Sequence, residues 1–288
     1  MNNIAILVVL YDKELIDSKT LTSLVNFDFN FNTLVIYNNG PVNLAVNEKF
    51  VNGLYHKFKS VKIVNDLNNS PLSKIYNNFI SEIEASSYVI LDDDTELNPS
   101  YIDMLNDNYL KPKYDIVVPK IISKGGEQYY PISNGSPVII EGDVNNLPNL
   151  LSITSGVVIN NTLLAKTNLL NNRVFDERYA LYGVDTSFFK KLSKNKRVSI
   201  GLASHLSHSL SRAESIDSPF RRKERLFDLA ISTRCYPSLF NYYYFIKTLI
   251  KLFFSRNFKL GLSVVEVFVK VDILNAKFGL YVHCILCE

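Results

Sequence analysis

The chain has 288 residues, a formal net charge of +3 and 47% apolar residues, which suits one large domain, or a domain with an appendage, able to bury a sizeable core. So small a positive excess gives no global electrostatic case for a nucleic-acid partner. Its cysteines, Cys235, Cys284 and Cys287, are odd in number and late in the chain, which speaks for a reducing compartment and against a disulfide framework. The terminal Cys-x-x-Cys pair lacks a second pair or a βαβ context and reads as ordinary thiols. Met-Asn-Asn precedes Ile4 without the positive segment of a signal peptide, and no uncharged apolar run is long enough to span a bilayer. The expected location is the cytoplasm.

Ile4 to Leu10 reads as a fully buried strand, as in a parallel sheet. Tyr11-Asp12-Lys13 leaves it, and a helix is expected over 14–26 with Leu21, Leu24 and Val25 inward. A second strand, 33–37, is broken by Asn38-Asn39-Gly40-Pro41, a strong turn signal. A helix to about Lys57 and a third strand, 61–64, follow. Ser70 suits a cap and Pro71 a first helical turn. Leu72, Ile75, Tyr76, Phe79, Ile80 and Ile83 then recur at helical spacing, leaving Asn77 and Asn78 off the main apolar stripe. The fourth strand, 88–91, ends in Asp92, Asp93 and Asp94. Asn98 and Pro99 start a helix to about Leu110, and a fifth strand covers 115–118.

This alternation specifies an open, mostly parallel sheet with right-handed crossovers. Ligands of such sheets bind at the carboxyl ends of the strands, here Tyr11, Asn38 and Asp92 to Asp94. Side chains alternate along extended backbone, so Asp92 and Asp94 share one side and Asp93 takes the other. Two carboxylates on one side repel unless a cation lies between them, and hard oxygen ligands suit Mg²⁺ or Mn²⁺. A lone Asp-x-Asp is more often a solvated acidic turn. The strand before it and the helix after it strengthen the metal reading.

From 121 to 151, glycines and prolines indicate short strands and a long loop. Residues 153–159 are strand-like, with Ser155-Gly156 inside. A helix is expected from Asp185, with Phe188, Phe189 and Leu192 inward and the Asp185 carboxylate favoured by the helix dipole. A short strand, 198–202, leads to His205 and His208. Beyond it, 220–225 is basic and 227–258 is apolar and aromatic, with Lys247, Lys251, Arg256 and Lys259 spaced along it. That pattern suits an amphipathic helix on an anionic membrane surface, or equally a helical appendage packed on the domain.

Taken in order, these motifs resemble the family 2 glycosyltransferases of the GT-A fold, and most closely the rhamnosyltransferase-like branch that builds bacterial O-antigens and capsules. Leu91-Asp-Asp-Asp-Thr-Glu-Leu-Asn-Pro99 resembles the metal motif, with Asp92 and Asp94 as the outer acids. Tyr37-Asn-Asn-Gly40 resembles the nucleotide-contacting turn, with Asn38 where an aspartate is usual. Leu72 to Asn77 resembles the start of the donor-facing helix, with Pro71 in place of the usual glycine. Thr154-Ser-Gly156 resembles the small-residue strand under the acceptor, Gly183-Val-Asp185 the segment ending in the catalytic base, and His208-Ser-Leu-Ser211 the late histidine.

The resemblance implies a GT-A catalytic domain over 1–212: an α/β architecture with a single Rossmann-like, mostly parallel sheet flanked by helices. A C-terminal helical appendage would span 213–288. It implies inverting transfer of a sugar from a nucleotide-diphosphate sugar to a hydroxyl of a glycan or lipid-linked glycan. The expected location is then cytoplasmic, peripheral on the inner face of the cytoplasmic membrane. Asp185 would be the base. Tyr11, Asn38, Asn77, Asp92 and Asp93 would bind the donor, and Ser155 and Gly156 would lie on the acceptor side. Asp94, Asp92 and His208 would hold Mn²⁺ or Mg²⁺, with His205 an alternative to His208. A nucleotidyltransferase also sets acids at strand ends over Mg²⁺ but usually carries a glycine- and basic-rich loop after the first strand, which Leu10 to Glu14 lacks. A non-catalytic sugar-binding protein would need no Asp94 together with Asp185. A glycoside hydrolase would need two facing carboxylates and no metal.

Overall fold

A computed structural model describes residues 3–27, 33–45, 47–110, 113–123, 125–167, 173–208, 218–255 and 257–271. The first half alternates β1 (Ile4–Leu10), α1 (Lys19–Asn26), β2 (Thr33–Asn38), α2 (Glu48–Lys57), β3 (Ser60–Asn65), α3 (Leu72–Glu82) and β4 (Ser87–Asp92). A two-residue strand β5 (Thr95–Glu96) and α4 (Pro99–Leu110) lead to β6 (Ile116–Ile122). Short strands follow: β7 (Gln128–Tyr130), β8 (Ile132–Ser133), β9 (Ser136–Pro137), β10 (Gly142–Asp143) and β11 (Val158–Asn160). Then come α5 (Asn161–Thr167), α6 (Val184–Ser193), β12 (Ile200–His208), α7 (Pro219–Cys235), α8 (Leu239–Phe254) and α9 (Phe258–Lys270).

The main sheet runs β10-β12-β6-β11-β4-β1-β2-β3. β1 lies parallel between β2 and β4, and β12 lies parallel to β6. The sheet is mostly parallel, with its main antiparallel interruption near the middle. The short β11 is antiparallel to both β4 and β6 and joins the two parallel halves.

β1 shows how the period of two builds the layers. Its even positions, Ile4, Ile6, Val8 and Leu10, pack with Leu21 and Leu24 of α1, Leu54 of α2 and Tyr101 of α4. Its odd positions, Ala5, Leu7 and Val9, face Ile75, Tyr76 and Phe79 of α3 and Phe188 and Phe189 of α6. The same odd-side cluster takes in Phe227 and Ile231 of α7, Phe245 of α8 and Val264 of α9. The three C-terminal helices therefore share the core of the sheet. The expected boundary at 212–213 and both terminal cysteines lie outside the described residues.

Several elements differ from the sequence expectation for local reasons. The helix expected over 14–26 begins only at Lys19, after a single 3-10 turn, because the Ser18 hydroxyl accepts from the Leu21 N–H and starts a new helix. Pro71, not Ser70, is the N-cap of α3, and the Ser70 hydroxyl donates to Asp66 instead. The strand expected over 153–159 shrinks to Val158–Asn160, because Gly156 turns the backbone at a φ of +83°. There the Gly156 N–H reaches the carbonyl of Ile90 at 2.7 Å, and the Tyr101 hydroxyl donates to the Gly156 carbonyl at 2.8 Å. A Cβ at Gly156 would lie 2.3 Å from Leu206 and 2.9 Å from Pro119. The strand expected to stop at 202 continues to His208.

Candidate active site

The acidic turn after β4 is held from three sides. The Ser155 hydroxyl accepts the Asp92 N–H at 3.0 Å and lies 2.7 Å from the Thr95 hydroxyl. Thr20 of α1 accepts the Thr95 N–H and sets its hydroxyl against the carbonyls of Asp92 and Thr95. β5 pairs with the end of β12, Thr95 opposite His208 and Glu96 opposite Ser207. The last pairing delivers His208 to the acids. Its Nε2 is 3.1 Å from Asp92 Oδ2 and 3.2 Å from Asp94 Oδ1. Asp93, in the turn that follows β4, points away from this pair, onto Lys13 Nζ at 2.8 Å. His205 is three residues from His208 on the same strand, and so faces the opposite side of it and is exposed. Lys13 was not singled out by sequence.

Asp92, Asp94 and His208 each offer a ligand atom within 4.8 Å of the other two. One imidazole N–H can satisfy only one of the two carboxylate oxygens that converge on it. Asp94 Oδ1 is buried and accepts no hydrogen bond. Burial pushes the Asp94 carboxyl up to about 6, with His208 partly offsetting the effect. A half-buried acid with one enclosed, under-satisfied oxygen, beside a second acid and an imidazole, fits a divalent cation, and the mixed oxygen and nitrogen donors suit Mn²⁺ better than Mg²⁺.

These residues open onto a cavity of about 480 Å³. Asp185, in the first turn of α6, lines the same cavity. Its Oδ1 accepts the N–H of Thr154 at 3.1 Å and also the Thr154 hydroxyl. Burial raises its carboxyl to about 6, and Thr154 works against that rise. Tyr76 lies in the cavity wall close enough to be influenced by both Asp92 and Asp185. The nearby acids Asp176 and Glu177 are engaged in other pairs: Asp176 with Arg178, and Glu177 with Arg173 and Asn77.

Tyr11, Asp92, Asp93, Asp94, Ser155, Asp185 and His208 all line the cavity. Asn38, Asn77 and Gly156 do not. Asn38 is buried and its amide is spent on Val42 O, Asn65 and the Gly40 N–H. Asn77 is buried and brackets residue 175, donating to the Phe175 carbonyl and accepting its N–H. Gly156 supports the sheet beneath the site. The neighbour Asn39 does reach the cavity, with its Oδ1 buried and unpartnered. Ser209 to Ser211 lie outside the described residues.

No family model matches the chain, and no curated protein matches it. Solved structures do. The S. aureus TarS fragment 1–349 is 15% identical with a TM-score of 0.55, covering 80% of this chain and 64% of that one. A longer S. aureus TarS structure is 18% identical with a TM-score of 0.55, covering 80% of this chain and 39% of that one. The chain thus spans less than two thirds of either. The same S. aureus fragment in complex with UDP-GlcNAc is 16% identical with a TM-score of 0.55, and here 93% of this chain and 81% of that one are covered. The chain has the GT-A fold. The comparisons support that fold and not the rhamnosyltransferase branch.

Proposed function

We propose that the protein is a metal-assisted glycosyltransferase that moves a sugar from a nucleotide-diphosphate donor to a hydroxyl, with inversion. The observation that carries the reading is a triad of candidate cation ligands, Asp92, Asp94 and His208, opening onto the same cavity as the carboxylate of Asp185. The GT-A fold, whose neighbours include one bound to UDP-GlcNAc, supports it. Lys13 is held against Asp93 instead of presenting a basic, glycine-rich loop, which disfavours nucleotidyl transfer.

Asp92, Asp94 and His208 would hold Mn²⁺, which when bound supplies charge to neutralise the leaving diphosphate. Asn39 and Tyr11, at the carboxyl ends of β2 and β1, suit the nucleoside end. Asp185 takes the proton of the attacking hydroxyl, and the two Thr154 hydrogen bonds hold its Oδ1 and so fix the carboxylate that lines the cavity. Placing donor and acceptor in one cleft supplies proximity and orientation.

The acceptor we propose is a lipid-linked glycan, met at the inner face of the cytoplasmic membrane. Among the described residues no helix is long and apolar enough to cross a membrane. α8 exposes Leu239, Phe240, Tyr243, Ile246 and Phe254, carries Lys247 and Lys251, and contains no acid. A second copy on this face would set like charges together, whereas anionic lipid complements them.

The reading is tested by thermal unfolding with UDP-, GDP- and dTDP-sugars in Mn²⁺ and in EDTA. A specific donor raises the midpoint only with the metal. No shift with any nucleotide sugar would refute it.

A further inference from the structure

Part of the cavity wall comes from α7, at the start of a stretch expected to be an appendage. Glu224 of α7 is only 5% exposed, lines the cavity, and has an Oε1 without any partner. Arg221, one turn earlier on the same face, also lines it, and its enclosed Nη1 has no partner either. Tyr182 also lines the cavity, and the Arg225 guanidinium stacks over its ring at 5.2 Å. A buried carboxylate oxygen and a buried guanidinium nitrogen without partners are each costly unless a ligand supplies hydrogen bonds. They do not satisfy one another, since no ion pair joins them among the described residues.

We infer that Arg221 and Glu224 form a sugar-hydroxyl subsite, in which vicinal hydroxyls of one pyranose donate to the Glu224 carboxylate and accept from the Arg221 guanidinium. The ligand chemistry follows from the mismatch of the two groups. A phosphate would satisfy Arg221 and repel Glu224. An ammonium would do the reverse. A hydroxyl both donates and accepts, so a polyol answers both at once. The Tyr182 ring offers an apolar face to the C–H side of the same pyranose. The inference rests on the glycosyltransferase reading and adds what selects the sugar. A pyranose here belongs either to the donor or to the acceptor, and the two sources are separable.

The test is calorimetric titration of the full chain with Mn²⁺, comparing UDP, GDP and dTDP with their sugar-bearing forms, for the parent, Glu224→Gln and Arg221→Gln. A further arm titrates methyl glycosides of glucose, N-acetylglucosamine and rhamnose into protein saturated with nucleoside diphosphate and Mn²⁺. Glu224→Gln keeps the shape of the side chain, and Arg221→Gln is a second, independent variant should the first not fold. If the pyranose is the donor's, both variants bind the nucleoside diphosphate as the parent does and lose about tenfold or more of the extra affinity conferred by the sugar. If it is the acceptor's, nucleotide-sugar binding is unchanged and glycoside binding drops by a similar factor. Variants that match the parent in both arms overturn the subsite while leaving the functional reading standing. A parent that binds no nucleotide at all overturns that reading, and the subsite with it.

Discussion

Asp94 and Asp93 are adjacent in sequence, yet substitution separates them. Asp94→Asn removes a ligand charge and is expected to abolish Mn²⁺-dependent nucleotide binding with little change in unfolding temperature. Asp93→Asn leaves the triad intact and loosens Lys13, so activity should fall by no more than about tenfold. Equal losses in a titration of both variants would contradict the alternation of the turn. Asp185→Asn is expected to lower the chemical step by about a hundredfold or more with donor affinity little changed, read by single-turnover kinetics. Glu224 gives a pH signature. Burial raises its carboxyl from 4.5 to about 7, with Lys223 lowering it and Asp228 raising it. Below the unfolded value the group is protonated in both states and costs nothing. As pH climbs from about 4.5 to about 7 the unfolded chain ionises first, and stability falls by an amount on the order of 3 kcal/mol. Denaturant melts of Glu224→Gln across that window should lack this decline. At this scale the pairing of Asp92 with Asp94 was legible, because a period of two needs only adjacent residues. The choice of Asn39 over Asn38 was not, because it depends on how a turn leaves its strand.

Elements decide how firmly the acidic turn is held. Gly156 sits in a left-handed conformation with Leu206 and Pro119 closing on the space a side chain would take. Gly156→Ala is expected to destabilise the fold by about 2 kcal/mol or more, and to weaken metal binding by shifting Ser155, which carries the Asp92 N–H. Urea melts and Mn²⁺ titration of one preparation measure both. The sequence showed a glycine where backbone or ligand comes close. It did not show that the strand is interrupted there, because apolar residues on both sides keep the pattern of one. β12 is the opposite case. Its polar end, Ser204 to His208, looks like a loop, but pairing with β5 and β6 keeps it extended. That extension settles the histidine: His205 and His208 face opposite ways, and only His208 meets the acids. The helical character of the C-terminal stretch was legible from lysines spaced along an apolar, aromatic run, but its division into helices and the faces they bury depend on long-range packing.

For the whole molecule, the cavity wall and the aromatic helix are tied together, since α7 lines the cavity and packs in the same cluster as α8 and α9. Attachment through α8 would therefore hold the cavity in a fixed relation to a surface. Binding to anionic vesicles is expected, decreasing with salt, because each lysine near the surface contributes about 1 kcal/mol that screening removes. Replacing Lys247, Lys251 and Lys259 by Gln should release the protein in a flotation assay while nucleotide binding persists. Retention on neutral vesicles equal to that on anionic ones would defeat the electrostatic part. A different consequence follows from the pairing of β5 with β12. The ligand atoms of Asp92 and His208 are 116 positions apart in the chain. An ion held by both would bind the folded chain and not the unfolded one, so it would stabilise the fold by an amount that grows with its free concentration. The Asp92, Asp94 and His208 cluster is complete only after β12 has docked, so a nascent chain that has made every aspartate of the turn would still lack the third donor of any metal site there.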